Sequence, residues 1–265
     1  MTRLVIAGAA GRMGRTLIRY AATFEELRIV GALEKAGDPA LGQDAGILAG
    51  VGPMGLIILD DPRTLPAADA LIDFTFHSAA PAHAALAAER RLALILGTTG
   101  LAADEEAAVR TAAKRIPVVW APNMSLGVNV LFALVRRAAE TLGLRYDVEV
   151  TEAHHRHKKD APSGTALRLA REVAEARGQA FDRVAVYGRK GLTGERASGE
   201  IAIHALRMGD IIGDHTVSFA VDGERLDLSH RATSRDAFAM GALRAAAWAA
   251  GRQPGLYDMQ DVLGL

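Results

Sequence analysis

The sequence predicts an α/β protein with a doubly wound parallel sheet, joined to a second α+β domain with a mixed or antiparallel sheet. Up to Trp120, short apolar segments of strand length alternate with helical segments, which is typical of a parallel sheet with helices on both faces. A glycine-rich turn, residues 8–14, follows the first apolar segment. Beyond Asn123 the pattern changes to longer strands with alternating polar and apolar residues, which predicts a sheet with one free face.

Composition limits the classes of function. The chain has 265 residues, enough for two moderate domains, and its 31 Lys and Arg balance its 31 Asp and Glu. No global charge recruits nucleic acid or a membrane surface, so neither partner is expected. The absence of cysteine excludes disulfides, iron–sulfur clusters and thiol nucleophiles. We see no export signal and no stretch near the roughly 20 apolar residues of a membrane helix, so we expect a soluble cytoplasmic protein.

The first strand, residues 4–8, leads into the turn Gly8-Ala-Ala-Gly-Arg-Met-Gly14 and a helix that reaches about Ala22. The spacing GxxGxxG is similar to the dinucleotide fingerprint GxGxxG of Rossmann-like domains, whose glycines allow a tight turn and close approach to a pyrophosphate. The second strand, residues 28–33, ends at Glu34, where an acid usually binds the adenosine ribose, and Lys35 follows. A carboxylate favours NAD and a cation tolerates the 2′-phosphate of NADP, so the predicted cofactor is NADH or NADPH. In the alternative interpretation, the glycines only turn a strand into a helix.

The rest of the first domain continues the alternation. Residues 37–55 are rich in glycine and predict a long loop or short helical turns. Strands are predicted at 71–75, 92–96 and 117–120, and helices at 80–90 and 103–115. Polar loops follow these strands at 74–77, 97–100 and 121–124, and since ligands bind beyond the carboxyl ends of such strands, we expect the loops to surround the nicotinamide. The loop 97–100 is equally well explained as an ordinary turn.

The second domain is predicted from its longer elements. Helices are predicted at 126–142, 164–177 and 234–250, and strands at 146–152, 200–207, 215–221 and 225–230. Residues 191–199 are expected to form a flexible loop. Because the last helix is expected to return to the first domain, the predicted dinucleotide-binding domain is 1–122 with 236–265, and the second domain is 123–235.

The densest cluster of titratable residues is the segment His154 to Lys159, in which six consecutive residues can be cationic. Ser163 follows shortly and is placed to cap a helix from Gly164, whose free N–H groups and positive dipole end favour a carboxylate or phosphate. Histidine is the residue type best suited to proton exchange near neutral pH. We therefore predict a small anionic ligand here, with His154 available for proton transfer.

Two other interpretations of the cationic segment remain open. A run of charges is often a solvated face, but the preceding strand, with Val148 and Val150 on its apolar side, gives the cluster a defined place. Clustered histidines sometimes bind metal, but Glu152 and Asp160 are the only acids nearby, and the histidines lack the i, i+4 spacing of helical zinc motifs. No metal is expected.

Five segments together resemble the 4-hydroxy-tetrahydrodipicolinate reductase family, traditionally called dihydrodipicolinate reductases, of diaminopimelate and lysine biosynthesis. The resemblance runs nearly end to end and rests on residues 8–14, 72–75, 97–100, 121–129 and 152–166. The last segment, Glu-Ala-His-His-Arg-His-Lys-Lys-Asp-Ala-Pro-Ser-Gly-Thr-Ala, is the most specific. The resemblance implies NAD(P)H-dependent reduction of 4-hydroxy-tetrahydrodipicolinate, a small cyclic dicarboxylate, to tetrahydrodipicolinate with loss of water. It also implies a cytoplasmic homotetramer, with the second domain binding substrate and forming the assembly through its sheet.

The resemblance also implies a role for each matched residue. The catalytic residues would be His154 and Lys158, and the substrate-binding residues His155, Gly164 and Thr165. The cofactor would contact Gly8, Ala9, Ala10, Gly11, Arg12, Met13, Glu34, Lys35, Gly97, Thr98, Thr99, Ala121, Pro122, Asn123 and Met124. Two alternatives remain: another NAD(P)-dependent oxidoreductase acting on a different small carboxylate, and a non-catalytic NAD(P)-sensing protein. Turnover separates the enzymes from the sensor, and the substrate separates the two enzymes.

Overall fold

The chain folds into two compact units, and the computed structural model describes all 265 residues. The first unit consists of Met1–Leu126 with Asp236–Gly264, and the second of Gly127–Arg235 with Leu265. The chain therefore enters the second unit at the start of a helix and returns to the first at the start of another.

The two units together contain twelve strands and nine α-helices. The strands are β1 (Thr2–Ala7), β2 (Leu27–Leu33), β3 (Ile58–Leu59), β4 (Ala70–Asp73), β5 (Ala93–Leu96), β6 (Pro117–Trp120), β7 (Asp147–His154), β8 (Ala185–Tyr187), β9 (Ile201–Arg207), β10 (Gly213–Val221), β11 (Glu224–Ala232) and β12 (Gly255–Tyr257). The helices are α1 (Arg12–Ala21), α2 (Ala45–Ala49), α3 (Ala80–Arg90), α4 (Ala103–Ala113), α5 (Leu126–Leu142), α6 (Gly164–Ala176), α7 (Phe181–Val184), α8 (Asp236–Ala249) and α9 (Met259–Leu263).

The first unit is built on a seven-stranded sheet in which every neighbouring pair is parallel. The strand order is β12-β6-β5-β4-β1-β2-β3. The chain winds from β1 outward to β3, returns to β4 beside β1, and then winds outward in the other direction. This arrangement confirms the predicted doubly wound sheet. Its change of direction, between β1 and β4, is the place where such sheets bind ligands.

Helices cover both faces of this sheet because its central strands β4 and β5 are apolar apart from Asp73 at the end of β4. All four residues of β4 and of β5 are buried, as expected for strands without a free face. One face packs against α1, α2, α8 and α9, with Leu17, Leu243 and Val262 in the core. The other face packs against α3 and α4, where Ala84 and Val109 are buried.

The second unit contains a five-stranded mixed sheet with the order β11-β10-β7-β9-β8. β10 is antiparallel to both β7 and β11, whereas β7, β9 and β8 run parallel. One face packs against α5 and α6, with Phe132, Leu169 and Phe219 in a common core. Hydroxyl and carboxylate side chains pair across the other face, where Ser218 donates to Asp227 at 2.6 Å. The predicted second α+β domain with a mixed sheet is confirmed.

The structure extends the predicted elements in a few places. β7 continues to His154, two residues further than predicted, and its last three residues are all buried. Three short strands (β3, β8 and β12) and two short helices (α7 and α9) were not predicted, because pieces of two to five residues carry no readable periodicity. None of the helices combines the length and apolarity needed to cross a bilayer.

Candidate active site

The turn between β1 and α1 depends on its glycines. Gly8 has a φ of +70°, in the left-handed region that favours glycine. A Cβ on Gly14 would lie 2.1 Å from the Gly8 carbonyl oxygen and 2.7 Å from the Ala9 Cα, so only glycine lets α1 begin directly against the turn. Gly11, the N-cap of α1, provides no side-chain acceptor. The N–H groups of the first turn of α1 are therefore not satisfied by a side-chain cap and suit an external anion.

Glu34, just after β2, contacts this turn directly. Its carboxylate accepts hydrogen bonds from the Ala10 N–H and from the Lys35 N–H, both at 3.1 Å. The turn, Glu34 and Lys35 line one cavity of about 1020 Å³ in the first unit, together with Thr75 and His83. The glycine turn, the ribose-type acid and the adjacent cation form the donor and acceptor set of a dinucleotide site, so these residues fit NADH or NADPH.

Only part of the predicted pyrophosphate set, residues 8–13, lines this cavity. Gly8, Ala10 and Gly11 line it, together with the predicted ribose acid Glu34 and the adjacent Lys35. Ala9 is fully buried and donates its N–H to the Leu33 carbonyl oxygen at 3.0 Å. Met13 packs against the core and Arg12 is exposed. In this turn, therefore, some residues pack in the core and stabilise the fold, while others line the cavity.

A buried carboxylate, Asp73 at the end of β4, organises the polar loops beyond β4 and β5. It accepts hydrogen bonds from the Thr75 N–H and hydroxyl, both at 2.7 Å, and from His83 Nδ1 at 2.8 Å. Burial raises the pKa of Asp73, but the hydrogen bonds from His83 and Thr75 outweigh it and hold the pKa below its ordinary value. The Thr98 hydroxyl donates to the Thr75 carbonyl oxygen at 3.2 Å. The two loops are therefore held together at the carboxyl edge of the sheet.

The other predicted loop residues follow the ends of β5, which neighbours β4 in the sheet, and of β6, the next strand beyond β5. A Cβ on Gly97 would lie 2.2 Å from the Phe74 ring, so the ring packs directly against the backbone there and would have to move for any larger residue. Ala121 and Met124 are buried, whereas Thr99 and Pro122 are exposed. Asn123 Oδ1 accepts the Ser125 N–H at 2.9 Å. None of the predicted residues 97–99 and 121–124 lines the cavity of Glu34 and Lys35.

In the second unit the cationic segment connects the end of β7 to the start of α6. The Ser163 hydroxyl accepts the Ala166 N–H at 3.2 Å, which confirms the predicted helix cap. An added Cβ on Gly164 would meet no atom within 4 Å, so the start of α6 is open. Lys158 Nζ forms an ion pair with Asp160 at 2.9 Å. This anchors the lysine on the loop between His154 and α6.

Glu152 links His154 to the start of α6. Its fully buried carboxylate accepts hydrogen bonds from His154 Nδ1 at 2.6 Å and from the Ser163 N–H at 2.9 Å. Arg207 on β9 binds both carboxylate oxygens, at 2.8 and 2.9 Å. Burial raises the pKa of Glu152, but the hydrogen bonds from His154, Arg207 and Ser163 outweigh it and lower the pKa to about 2. The carboxylate is therefore ionised at neutral pH.

Two histidines beside this network favour their neutral forms. Burial lowers the pKa of His155, and nearby cationic groups, with Arg235 the largest, lower it further. Burial and the neighbouring His154 lower the pKa of His215 to about 3. His215 Nε2 lies 3.1 Å from the Ser163 hydroxyl, and its ring packs edge-on against the His154 ring with 5.2 Å between centroids.

Comparison with known proteins identifies the family. Residues 2–124 match the family model described as "Dihydrodipicolinate reductase, N-terminus", and residues 127–263 match the model for the C-terminus. The 4-hydroxy-tetrahydrodipicolinate reductase of Anaeromyxobacter dehalogenans (strain 2CP-C) is 53% identical over 266 residues, covering 100% of this chain and 98% of the relative. The chain belongs to the dihydrodipicolinate reductase family. The resemblance drawn from the sequence motifs is confirmed.

A second curated relative and one solved structure are also similar to this chain. The 4-hydroxy-tetrahydrodipicolinate reductase of Syntrophus aciditrophicus (strain SB) is 51% identical, covering 100% of this chain and 99% of the relative. A dipicolinate-bound dihydrodipicolinate reductase from Paenisporosarcina sp. TG-14 has a TM-score of 0.77 at 22% identity and covers 98% of both chains. This chain therefore shares the fold of that structure over nearly its whole length.

The sequence did not reveal three residues that surround His154: Arg207, Gly213 and His215. They lie on β9 and β10 and reach His154 only through the sheet, in which His154 pairs with Arg207 on β9. One local signal was present. Residues 207–215, Arg-Met-Gly-Asp-Ile-Ile-Gly-Asp-His, concentrate glycines and charged groups between two alternating strands. This concentration of glycines and charged groups makes residues 207–215 a candidate to contact the cationic segment His154 to Lys159.

Proposed function

We propose that this protein reduces 4-hydroxy-tetrahydrodipicolinate to tetrahydrodipicolinate with NADH or NADPH, with loss of water, in diaminopimelate and lysine biosynthesis. The observation that carries the proposal is the segment 152–166, in which a single carboxylate holds both His154 and the start of α6. This segment combines an imidazole suited to proton transfer with cations and a helix N-terminus suited to a dicarboxylate. The 53% identity over the whole chain to a reductase of that name supports the same activity.

The first unit is the dinucleotide-binding domain in this proposal. When bound, NADH or NADPH supplies the hydride. The turn formed by residues 8–13 holds the pyrophosphate, because it places the N–H groups at the start of α1, which no side chain caps, beside the cavity. Glu34 accepts the ribose hydroxyls, and Lys35 binds the 2′-phosphate of NADPH. Residues 97–99 and 121–124 flank the nicotinamide, since they follow the carboxyl ends of neighbouring strands.

The second unit binds the substrate. The N–H groups at the start of α6 and the Thr165 hydroxyl bind one carboxylate, and the open space at Gly164 leaves room for it. His155 binds the substrate through its imidazole. Its Nδ1 is buried and has no hydrogen-bond partner within the chain, which is the state expected of a group that pairs with a ligand.

His154 and Lys158 carry out the proton transfers. Hydride addition at one ring carbon requires a proton at the neighbouring position. Loss of the substrate hydroxyl as water takes up another proton, which is balanced by the proton that leaves the carbon next to the hydroxylated one. His154 is held by Glu152 through Nδ1, which leaves Nε2 for exchange with the substrate. Lys158 lies on the same loop, where its ion pair with Asp160 orients the ammonium group.

Kinetics of four variants test these roles. Substitution of a proton-transfer residue, His154→Ala or Lys158→Ala, should lower kcat by roughly 10²–10⁴ while the affinity for NAD(P)H stays nearly unchanged. Substitution of a binding residue, His155→Ala or Thr165→Val, should instead raise the substrate KM more than it lowers kcat. A change in KM alone for the first pair would assign both residues to carboxylate binding.

The proposed assembly is a cytoplasmic homotetramer formed through the sheet of the second unit. The face of that sheet opposite α5 and α6 carries paired polar groups, with the Thr216 and Ser229 hydroxyls 2.9 Å apart, and the half-exposed Leu206. Light scattering of the purified protein should give a mass about four times the 28.0 kDa of one chain. A single-chain mass at micromolar concentration would reject the tetramer.

The activity itself is tested by NAD(P)H oxidation. The substrate is generated in the cuvette from pyruvate and aspartate semialdehyde by the condensing enzyme, and the purified protein is then added with NADH or NADPH. Oxidation should require the condensing enzyme and both precursors. Oxidation of neither cofactor, with a known reductase active in the same mixture, would contradict the proposed function.

A further inference from the structure

The Glu152 carboxylate has no spare capacity for hydrogen bonding. Its Oε2 accepts from His154 Nδ1 and Arg207 Nη1, while its Oε1 accepts from the Ser163 N–H and Arg207 Nη2. Two carboxylate oxygens offer about four lone-pair sites, so every site is filled. The group cannot rotate away from His154 without breaking bonds to β9 and to the start of α6.

Other contacts keep the His154 ring in the same place. The neutral His215 packs edge-on against it from β10. Gly213 lies against its outer edge, where an added Cβ would be 3.1 Å from His154 Nε2. The backbone is also held, because the His154 carbonyl oxygen accepts the Met208 N–H at 2.9 Å. The ring is therefore confined by β9 and β10 as well as by Glu152.

We propose that Glu152 is a positioning residue for the reaction: held by Arg207 and the Ser163 N–H, it keeps the His154 proton on Nδ1 and presents Nε2 to the substrate. An ionised carboxylate only accepts hydrogen bonds, so the nitrogen facing it must carry the proton. A second consequence follows from the bond to Ser163. The Glu152 carboxylate binds both His154 and the start of α6, so it fixes the position of one relative to the other. A substrate carboxylate bound at the start of α6 therefore lies at a defined distance from His154 Nε2.

The inference rests on the proposed role of His154 in proton transfer. The charged and titratable groups that face His154 are Glu152 from its own strand, Arg207 from β9 and His215 from β10, with Lys158 and His155 on the loop. Among them, only Glu152 contacts Nδ1. A measurement of the His154 tautomer therefore tests the positioning role of Glu152 directly.

The test compares Glu152→Gln with a matched control, Glu172→Gln. Gln has the shape of Glu but can present an amide N–H to His154 Nδ1, which would move the neutral ring's proton to Nε2. Glu172 is also a buried carboxylate of the second unit, bound by Arg136 at 3.2 Å and Arg168 at 2.5 Å, but without a histidine partner. We expect Glu152→Gln to lower kcat by about 10²-fold and to leave the substrate KM and the NADPH Kd within about twofold. Glu172→Gln should keep the wild-type kcat.

Two measurements distinguish positioning from a general structural role. In the His154→Ala background, Glu152→Gln should lower kcat by no more than about twofold, because the Gln carbonyl oxygen can still accept the Ser163 N–H and the substitution then acts only through the His154 ring. Nitrogen-15 NMR of wild-type protein labelled at its histidines, recorded at a pH where imidazole is neutral, should show the His154 proton on Nδ1. The Nε2–H tautomer in the wild type overturns the inference even if Glu152→Gln fails to fold.

The remaining outcomes are equally decisive. The inference is overturned if Glu152→Gln lowers kcat by the same factor in the wild-type and His154→Ala backgrounds. It is also overturned if Glu172→Gln lowers kcat as much as Glu152→Gln does. An unchanged kcat in His154→Ala overturns it as well, while wild-type turnover of the substrate still supports the reductase. A wild-type protein without turnover would instead count against the proposed function, whatever the tautomer.

Discussion

One steric prediction concerns Gly14, where a methyl group would disrupt the turn proposed to bind the cofactor. In Gly14→Ala the new Cβ would lie 2.1 Å from the Gly8 carbonyl oxygen and 2.7 Å from the Ala9 Cα, both backbone atoms that no rotamer change can move. To reach ordinary van der Waals contact, α1 would have to withdraw from the turn by about 1 Å. Overpacking of this kind costs about 1–3 kcal/mol, which lowers the unfolding midpoint by roughly 3–10 °C.

The same withdrawal displaces the N–H groups proposed to bind the pyrophosphate. We expect Gly14→Ala to raise the NADPH Kd at least about tenfold, since anion contacts at a helix N-terminus depend on short, aligned hydrogen bonds. Fluorescence titration with NADPH measures the Kd, and calorimetry measures the unfolding midpoint. Gly251→Ala is the matched control, because its Cβ would meet no atom within 4 Å in the same unit. A Gly14→Ala protein that binds NADPH as tightly as Gly251→Ala would refute the reasoning.

Three further predictions follow from the two sites. Lys35→Ala should weaken NADPH binding by roughly 1–2 kcal/mol and leave NADH binding nearly unchanged; equal losses in titrations with both cofactors would place Lys35 away from the 2′-phosphate. Because the folded-state pKa of Glu152, about 2, lies below its ordinary 4.5, its ionisation should contribute about 3 kcal/mol of stability above about pH 5, lost as the pH falls toward 2. Urea unfolding of wild type and Glu152→Gln should therefore differ more at about pH 7 than at about pH 3, and a constant difference would contradict this. Gly213→Ala should lower kcat several-fold without changing the NADPH Kd, because its Cβ would crowd His154 Nε2 at 3.1 Å; unchanged steady-state kinetics would show that Nε2 does not face the substrate.

Much of the fold was predictable because its elements carry their own periodicity. α3 and α5 begin and end at the predicted residues, and the strands of the first sheet are apolar runs between helical segments. The contact between Glu34 and the glycine turn was also predictable from spacing alone, since the acid follows the second strand in this type of domain. Ser163 was recognisable as a cap because its side chain acts on the next turn of its own helix.

The partners of the site residues could not be predicted, because they are brought together by strand pairing rather than by sequence distance. Arg207 meets Glu152 only through the register of β7 and β9. Likewise Asp73 and His83 meet because α3 folds back over β4. The orientation of single residues in a turn also cannot be read from a pattern: Ala9 is itself a predicted cofactor residue, between Gly8 and Ala10, yet it is buried in the core. Motif position therefore predicts the neighbourhood of a site more reliably than the direction of each side chain.

The central claim, hydride transfer from NAD(P)H to the cyclic dicarboxylate, is tested most directly with labelled cofactor. NADPH carrying deuterium at C4 of the nicotinamide, prepared separately in its 4R and 4S forms, is incubated with the protein and freshly generated substrate, and the product is analysed by mass spectrometry. We predict tetrahydrodipicolinate with one deuterium from one of the two forms and none from the other. Oxidation of NADPH that leaves the product without deuterium from either form would contradict the account.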